Sequence, residues 1–307
     1  MSVRGNEVWL AAQVGDHVAW THSPDGGRRF DTQHAVDSPA ETWRPSIAAT
    51  TAGHAYLAWI DTRDRFTLDD LPQAGLYGAR LPSGAPQRLD STAPPDDQAK
   101  TLDNAWAPSV AARGGRLIVT WIDFHSYDWD VRSRYSPDGG ASFPGKENPV
   151  NVTPKAYESL EASPHAAWGK DGPLVAFADW RKTPKPSSLY DIALTMSGDH
   201  PHKADGTGLR PVNAFSPAVA PAPRGALVVW QDMRRGVGDI RIAHIVRSQP
   251  YTGPTRRIDG HGPRGNAWRP AIAVAGKQAI VAWEDDRDGP SQIYVRRMPL
   301  PFIASRP

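Results

Sequence analysis

The chain has 307 residues and contains no cysteine. That absence excludes a disulfide framework, a thiolate metal site and a cysteine nucleophile. An excess of one charge is also missing, because 35 Lys and Arg residues face 33 Asp and Glu residues and leave a net charge of +2. A balance of this kind provides no field that would gather nucleic acid or an anionic membrane surface, so we expect neither partner.

Long apolar runs are absent as well, since no stretch approaches the roughly 18 uninterrupted apolar residues of a membrane-spanning helix. Residues 1–16 show no apolar segment behind basic residues, so no signal peptide is visible there. The chain is rich instead in turn formers and aromatics, with 27 Gly, 30 Pro, 12 Trp, 8 Tyr and 7 Phe. Gly and Pro together make about 19% of the residues, below the roughly 25–30% typical of disordered chains. This composition indicates a turn-rich, all-β globular protein.

Five segments repeat one pattern, in which a proline precedes a hydrophobic run that ends in aromatic-x-Asp. The proline stands at Pro45, Pro108, Pro164, Pro217 and Pro270, with spacings of 63, 56, 53 and 53 residues. The aspartate stands at Asp61, Asp123, Asp179, Asp232 and Asp285. Two residues further on come Arg63, Arg181, Arg234 and Arg287, with His125 in that place in the second segment.

Each repeat contains runs of β-branched and aromatic residues, at strand length, between Gly, Pro and Asp turns. In the first complete repeat we predict strands A to D at 46–49, 55–60, 76–81 and 87–90. Four short antiparallel strands per period of about 50 residues are typical of a propeller blade, and residues 8–37 add a partial unit. We therefore predict a single domain, 1–307, that is a six-bladed β-propeller with blades at about 1–40, 41–103, 104–160, 161–213, 214–265 and 266–307.

The repeat does not identify every strand of this ring, and one strand, either the first of the first blade or the last of the last blade, is left without a clear segment. Residues 1–6 are polar and contain glycine, which makes them a poor strand A for the first blade. The segment 301–304 resembles 45–48 and fits either strand A of the first blade or strand D of the last. The sequence leaves both alternatives open.

Two turns carry the spacing S-x-D-x-G-x-x-F, at Ser23, Asp25, Gly27 and Phe30 and again at Ser136, Asp138, Gly140 and Phe143. Serine and aspartate oxygens can accept backbone N–H bonds in such a turn, glycine supplies a positive φ, and the aromatic ring is expected to pack between strands. The pattern resembles the Asp-box of the sialidase-like (BNR repeat) propeller superfamily. The resemblance implies that these turns lie on the face opposite the active site and that the protein is extracellular or periplasmic.

The resemblance does not extend to the sialidase catalytic signature. Sialidases bind the substrate carboxylate with an arginine triad whose first member lies in an R-I-P motif, and this chain has no R-I-P. Its nearest equivalents are Trp43-Arg44-Pro45 and Trp268-Arg269-Pro270, which belong to the repeat. We therefore expect no hydrolysis of an ordinary sialoside.

The repeated aspartates and arginines favour a structural role, because a residue present in every blade usually serves every blade. We expect the aspartates to accept backbone N–H groups, the arginines to bridge to a neighbouring blade, and the tryptophans to form inter-blade core. The latter are Trp59, Trp121, Trp230 and Trp283. The same register would line one face of the ring with alternating acids and bases.

Ligand binding is predicted where the repeats differ. The residue before the proline is Arg44, Ala107, Ser163, Ser216 or Arg269, and the one before it is Trp43, Trp106, Ala162, Phe215 or Trp268. Indole rings suit a sugar face and guanidinium groups suit a carboxylate or sulfate. We predict Arg44, Arg269, Trp43, Trp106 and Trp268 as ligand-binding residues.

Catalytic candidates are fewer. His125 can serve as a general base, and Glu158 or Glu161 can face Asp123 as the carboxylate pair of a glycosidase. The group Asp285, Asp286, Asp288 and Gly289 lacks EF-hand spacing and favours a turn, so we predict no metal and no cofactor. Two hypotheses follow: a monomeric propeller that binds or cleaves an acidic glycan or other small ligand, or a non-catalytic propeller that binds protein partners as a scaffold.

Overall fold

The computed structural model describes residues 1–64, 67–68, 71–72, 74–90, 105–123, 129–150, 159–181, 190–196, 202–204, 213–246, 255–260 and 265–300. Over these residues the protein is all-β, and it divides into two compact units, Met1–Val150 and Asn151–Pro307. Each unit contains three sheets of three or four antiparallel strands. Within the described ranges, no helix has the length and apolar character needed to cross a membrane.

The first unit contains three four-stranded sheets. The first sheet comprises β1 (Ser2–Arg4), β2 (Glu7–Val14), β3 (His17–Ser23) and β4 (His34–Ala35). Next come β5 (Thr42–Ala49), β6 (Ala55–Asp61), a small hairpin of β7 (Thr67–Leu68) and β8 (Leu71–Pro72), β9 (Gly75–Leu81) and β10 (Gln87–Arg88). Strands β5, β6, β9 and β10 form the second sheet. The third comprises β11 (Ala105–Arg113), β12 (Arg116–Asp123), β13 (Asp130–Ser136) and β14 (Asn148–Pro149).

The second unit repeats this arrangement. Its first sheet, the fourth of the chain, comprises β15 (Ser159–Trp168), β16 (Pro173–Arg181), β17 (Asp191–Met196) and β18 (His202–Lys203). The fifth comprises β19 (Ala214–Ala222), β20 (Gly225–Asp232), β21 (Asp239–Val246) and β22 (Arg256–Arg257). The sixth comprises β23 (Ala267–Ala275), β24 (Gln278–Asp285) and β25 (Gln292–Pro299). The predicted segment 301–304 lies outside the described residues.

The structure corrects the expectation for the first strand. Ser2–Arg4 does form a strand, because Arg4 and Glu7 pair across a two-residue turn in which Gly5 has a φ of 60°. Backbone pairing needs no apolar side chains, and a glycine in the left-handed region suits a tight hairpin. The hydroxyl of Ser2 also accepts the N–H of Ala49 at 2.9 Å, which ties the strand to the second sheet.

Neighbouring sheets within each unit pack through apolar side chains. The tryptophan at the end of strand B lies in the core toward the preceding sheet: Trp59 packs with Trp9 and Trp20, Trp121 with residues of the second sheet, Trp230 with Ile192 and Leu194, and Trp283 with Ile240 and Ile242. All four are at most 4% exposed. The tryptophans therefore form the inter-sheet core within the two units.

Strand A contains a β-bulge in five sheets, directly before its hydrophobic run. In the second sheet Trp43 pairs with Ile60 and Ser46 with Ala58, so Arg44 and Pro45 together oppose one residue. The residue before the proline has a positive φ in every case: 53° at Arg44, 49° at Ala107, 51° at Ser163, 49° at Ser216 and 48° at Arg269. This conformation costs about 1–3 kcal/mol for a residue with a Cβ. The bulge explains why β5 begins before the proline rather than at the predicted residue 46, since a bulged proline needs no N–H partner.

The two S-x-D-x-G-x-x-F turns close the ends of β3 and β13. The Ser23 hydroxyl accepts the N–H of Gly27 at 2.9 Å, and one carboxylate oxygen of Asp25 accepts the N–H groups of Arg28 and Arg29 at 2.9 Å each. In the second turn the Ser136 hydroxyl accepts the N–H of Gly140 at 2.8 Å, and Asp138 accepts the N–H of Ser142 at 2.9 Å. Hydrogen bonds from the hydroxyl and N–H of Ser142, and from Ser136, lower the pKa of Asp138 to about 2.

The aromatic residues of these turns behave differently from each other. Phe143 packs on Tyr56 of the second sheet, with ring centroids 5.5 Å apart. Phe30 is 42% exposed, contrary to the expectation that it packs between strands. The first sheet has no preceding sheet in its own unit, so Phe30 lacks the neighbour there that Tyr56 provides for Phe143.

Candidate functional site

The predicted site residues lie at one end of each sheet. Asp61 pairs with Thr42 at the start of β5, Asp232 pairs with Ala214 at the start of β19, and Asp285 pairs with Ala267 at the start of β23. In the third sheet Asp123 pairs with Ala105 and Asp130, whereas Ser136 of the turn pairs with Leu117 at the other end. Within that sheet the repeated aspartate and the S-x-D-x-G-x-x-F turn therefore lie at opposite ends.

The aromatic-x-Asp-x-Arg segment is a closed hydrogen-bonded unit in the second sheet. Trp59 donates its indole N–H to Asp61 Oδ2 at 2.9 Å. The backbone N–H of Arg63 binds Asp61 Oδ1 at 2.9 Å, and the guanidinium of Arg63 binds Oδ2 at 2.8 Å. The Ser38 hydroxyl, from the connection before β5, also donates to Asp61 Oδ1 at 3.1 Å, so the carboxylate is satisfied chiefly by residues within two positions of it in the sequence.

The fifth and sixth sheets contain the same unit. The indole N–H groups of Trp230 and Trp283 reach Asp232 and Asp285 at 3.0 Å each. Arg234 binds Asp232 with Nε and Nη2 at 2.7 Å each, and Arg287 binds Asp285 with Nε at 2.9 Å and also with Nη2. Burial raises the pKa of the Asp285 carboxyl, but the hydrogen bonds from Arg287 and Trp283 outweigh burial and leave that pKa below its usual value.

These contacts correct the prediction that alternating acids and bases line one face. The side chains of Asp61, Asp232 and Asp285 are fully buried, because each carboxylate is enclosed by its own tryptophan and arginine. The arginines pair chiefly within their own repeat. Arg63 also donates to the carbonyl of Asp37 at 2.6 Å, and Arg287 to that of Asp259 at 3.0 Å, which fastens the connection from the preceding sheet.

The second and sixth sheets share a tyrosine that sequence reasoning missed. The Arg63 guanidinium lies 4.4 Å from the ring centroid of Tyr77, whose hydroxyl binds Asp64. In the sixth sheet the Arg287 guanidinium lies 4.4 Å from the ring centroid of Tyr294, whose hydroxyl binds Asp288. Burial and the bond to Asp64 raise the pKa of Tyr77. Both tyrosines pair with the repeated tryptophan, so aligning strand C between repeats would have found them.

The third and fourth sheets depart from the shared unit. Asp123 is 3% exposed, and the buried indole nitrogen of Trp121 has no hydrogen-bond partner in the described part of the chain. Phe177 replaces the tryptophan before Asp179 and has no N–H to donate. His125 and Glu158 lie outside the described residues, as do the side chains of Glu161 and Arg181, whose backbones belong to β15 and β16.

The first unit brings three of the predicted ligand-binding residues together. The ring centroids of Trp43 and Trp106, on neighbouring sheets, are 6.3 Å apart with an interplanar angle of 41°. The guanidinium carbon of Arg44 lies 5.2 Å from the Trp106 centroid. Both indoles are part-exposed and Arg44 is exposed. We call this the Trp43–Arg44–Trp106 surface.

The second unit places Trp268 and Arg269 beside a carboxylate that sequence reasoning did not identify. Glu284 accepts the indole N–H of Trp268 at 2.6 Å and a guanidinium N–H of Arg269 at 3.4 Å. The corresponding residues before the repeated aspartate are Ile60, Ile122, Ala178 and Gln231, so a comparison of that column of the repeat would have singled out Glu284.

The acidic group at the end of β24 forms a turn. Asp286 Oδ1 accepts the N–H of Asn266 at 2.6 Å, its carbonyl accepts the N–H of Gly289 at 3.1 Å, and Asp288 binds Tyr294. Among the described residues, no group of three or more His, Asp or Glu side chains is placed to hold a metal ion.

Comparison with known proteins relates this fold to propeller-like glycoside hydrolases. No protein-family model matches the chain. No curated protein matches it either. Among solved structures, a protein of unknown function from Dyadobacter fermentans is 14% identical, with a TM-score of 0.56 over 96% of this chain and 92% of that one.

Two enzyme structures show a similar likeness. An α-L-arabinanase from Penicillium chrysogenum, complexed with arabinobiose, is 14% identical, with a TM-score of 0.53. An α-L-arabinofuranosidase from Fusarium graminearum, complexed with an iminosugar inhibitor, is 12% identical, with a TM-score of 0.55. Each of the two matches covers 92% of this chain and 85% of the enzyme's chain. At these sequence identities the similarity establishes the fold class alone, and the function has to be argued from the candidate site.

Proposed function

We propose that the protein is a sialidase-like propeller, with the six sheets as its blades, that binds a glycan carrying an anionic group at the Trp43–Arg44–Trp106 surface. The observation that carries this proposal is the guanidinium of Arg44 beside the Trp106 ring, with Trp43 next to it. Exposed indoles cover the apolar face of a sugar, and a guanidinium can bind a carboxylate or sulfate with two parallel hydrogen bonds. The Asp-box turns and a location outside the cytoplasm belong to the same proposal.

The charge of Arg44 supports an anionic ligand. In the part of the chain that the structure describes, Arg44 forms no ion pair with a carboxylate, and its contact is with an aromatic ring. A cation that stacks on an indole keeps its hydrogen-bond donors available. The arginines of the repeated unit differ, because their donors bind buried aspartates.

The repeated aspartates are not available as the carboxyl groups of a glycosidase. Glycoside hydrolysis uses two carboxyl groups that flank the scissile bond. Asp61, Asp232 and Asp285 are buried and bound to tryptophan and arginine, so they cannot approach a sugar. We propose a binding protein because the chain also lacks the R-I-P arginine, and we expect an ordinary sialoside to remain uncleaved. Turnover of a fluorogenic sialoside that is lost in Arg44→Ala would contradict this expectation.

The test is a glycan array followed by titration of any bound glycan. Arg44→Ala should weaken binding about ten- to a hundredfold, since a charged hydrogen bond contributes about 1.5–3 kcal/mol. Arg116→Ala is the matched control, because Arg116 is exposed at the opposite end of the third sheet from Trp106. The proposal fails if a glycan binds Arg44→Ala and Trp106→Ala as tightly as the wild type. If no glycan binds, the scaffold hypothesis is favoured.

A further inference from the structure

The residue before the repeated aspartate is acidic in only one repeat. Glu284 pairs with Trp268 across β23 and β24, as Ile60 pairs with Trp43 across β5 and β6. The side chain of Glu284 is 29% exposed, and that of Arg269 is 73% exposed. A carboxylate therefore stands in the sixth sheet at a position where the second sheet has an aliphatic side chain.

Among the described residues, Glu284 has two side-chain partners, and its carboxylate has spare acceptor capacity there. Its Oε2 accepts the Trp268 indole N–H at 2.6 Å, and its Oε1 accepts from Arg269 Nη1 at 3.4 Å. An ionised carboxylate offers about four acceptor positions, so these two contacts leave room for further donors. Sugar hydroxyl groups are donors of the right kind.

The same contacts separate the two arginines that the sequence treats as equivalent. Arg269 has a carboxylate within 3.4 Å, which offsets its charge toward an incoming anion. Arg44 lies against the Trp106 indole ring instead, and it forms no ion pair within the described ranges. A second negative charge close to Arg269 would be repelled by Glu284.

We propose that Glu284 determines specificity at the surface formed by Trp268, Arg269 and Glu284, so that this surface takes an uncharged, hydroxyl-bearing sugar unit and excludes an anionic one. Anion binding then belongs to Arg44 alone of the two arginines. The sugar part of this inference rests on the proposed function. The exclusion of anions rests only on the charges and distances at Glu284.

The experiment follows the indole N–H resonances of Trp268 and Trp106 by nuclear magnetic resonance, assigned with Trp268→Phe and Trp106→Phe. The probes are methyl β-D-glucuronide, methyl β-D-glucoside and inorganic sulfate. In the wild type, glucuronide and sulfate should shift the Trp106 resonance and leave that of Trp268 unchanged, whereas the glucoside should shift Trp268. In Glu284→Gln, both anions should shift Trp268 with at least tenfold tighter apparent binding than in the wild type.

Two controls keep the result interpretable. Glu284→Ile, which introduces the residue found at positions 60 and 122, replaces Glu284→Gln if the latter fails to fold. Glu7→Gln removes a carboxylate of the first unit, which accepts the N–H of Gly53, and should behave as the wild type at Trp268. The proposal is overturned if wild-type Trp268 responds to sulfate as strongly as Trp106 does, or if Glu284→Gln leaves its response unchanged.

Failure of the proposed function gives a different pattern. In that case the glucoside shifts neither resonance and the glucuronide acts no differently from sulfate, while sulfate still discriminates between wild type and Glu284→Gln at Trp268. Discrimination by sulfate without any response to the glucoside would retain the anion exclusion by Glu284 and reject the glycan site.

Discussion

The indole N–H of Trp59 donates a 2.9 Å hydrogen bond to Oδ2 of Asp61, a carboxylate that is fully buried and also bound to Arg63. The two side chains lie on the same face of one strand, because positions two apart in a β-strand point the same way. The tryptophan therefore fills the core with its ring and satisfies the aspartate with its nitrogen. Trp230 and Trp283 have the same double role.

We expect Trp59→Phe to destabilise the protein more than Trp121→Phe. Both substitutions shrink a fully buried ring, but only the first removes a hydrogen bond to a carboxylate, since Trp121 Nε1 has no partner in the described ranges. Loss of that bond should add about 1.5–3 kcal/mol to the free energy cost. Chemical denaturation of both variants measures the difference, and equal costs would contradict the role assigned to the indole nitrogen.

Ala107→Gly should stabilise the protein by about 0.5–1 kcal/mol. Ala107 has a φ of 49° and precedes a proline, and glycine adopts this region without the steric cost of a Cβ. The control is Ala111→Gly in the same strand, at a regularly paired and buried position, which should destabilise. Thermal melts of the two variants should shift in opposite directions, and a loss of stability in Ala107→Gly would count against backbone strain at the bulge.

Gly140→Ala should be far more damaging than Gly27→Ala, although both glycines occupy the same place in their turns. Each has a positive φ, so alanine costs about 1 kcal/mol at either site. A Cβ on Gly140 would lie 2.0 Å from the Tyr56 ring, whereas one on Gly27 meets its nearest atom at 3.9 Å. Overpacking should add about 1–3 kcal/mol or more at Gly140. Similar unfolding midpoints for the two variants would contradict the packing of Tyr56 over this turn.

His165 should make stability depend on pH in a defined window. Its Nδ1 accepts the N–H of Val219 at 3.3 Å, and burial lowers its pKa from 6.5 to about 4. Between these values the unfolded chain binds a proton that the folded protein does not. The histidine's contribution is therefore complete above pH 6.5 and is lost as the pH falls toward 4, by at most about 3 kcal/mol.

The control for this prediction is already present in the second sheet. Ser46 stands at the equivalent position and accepts the N–H of Val110 at 2.9 Å. His165→Ser should keep the hydrogen bond and remove the extra pH dependence between 6.5 and 4, as measured by urea denaturation across that range. An unchanged difference in stability between pH 7 and pH 4.5 would exclude His165 as its source.

The sequence predicts the inner strands well because they are short, nearly continuous apolar runs between turn residues, a pattern that needs no knowledge of neighbours. The predicted strands 55–60 and 76–81 match Ala55–Asp61 and Gly75–Leu81 almost residue for residue. Strand A was predicted too short, since a proline with a positive-φ residue before it does not look like part of a strand. At the bulge Arg44 and Pro45 together oppose one residue of β6, and only the pairing of the two strands shows this.

For the candidate site as well, the sequence predicts one part and the structure decides the other. Repetition in the chain identified Trp43, Arg44, Trp106, Trp268 and Arg269 as the places where the repeats differ. It could not show that Arg44 lies against an indole while Arg269 lies against Glu284, because these contacts join residues that are 62 and 15 positions apart. Nor could it show that the repeated aspartates are buried rather than lining a face.

The sequence by itself determined the all-β class, the repeat and the strand order, because these follow from local periodicity and turn chemistry. Tertiary structure decided which charges remain available. The carboxylate of Asp61 is buried and bound to Trp59 and Arg63, so it is not available to a ligand. Pairing across β23 and β24 brings Glu284 next to Trp268 and Arg269. Whether a charged group can meet a ligand depends on what surrounds it in space, and the distance along the chain does not record that.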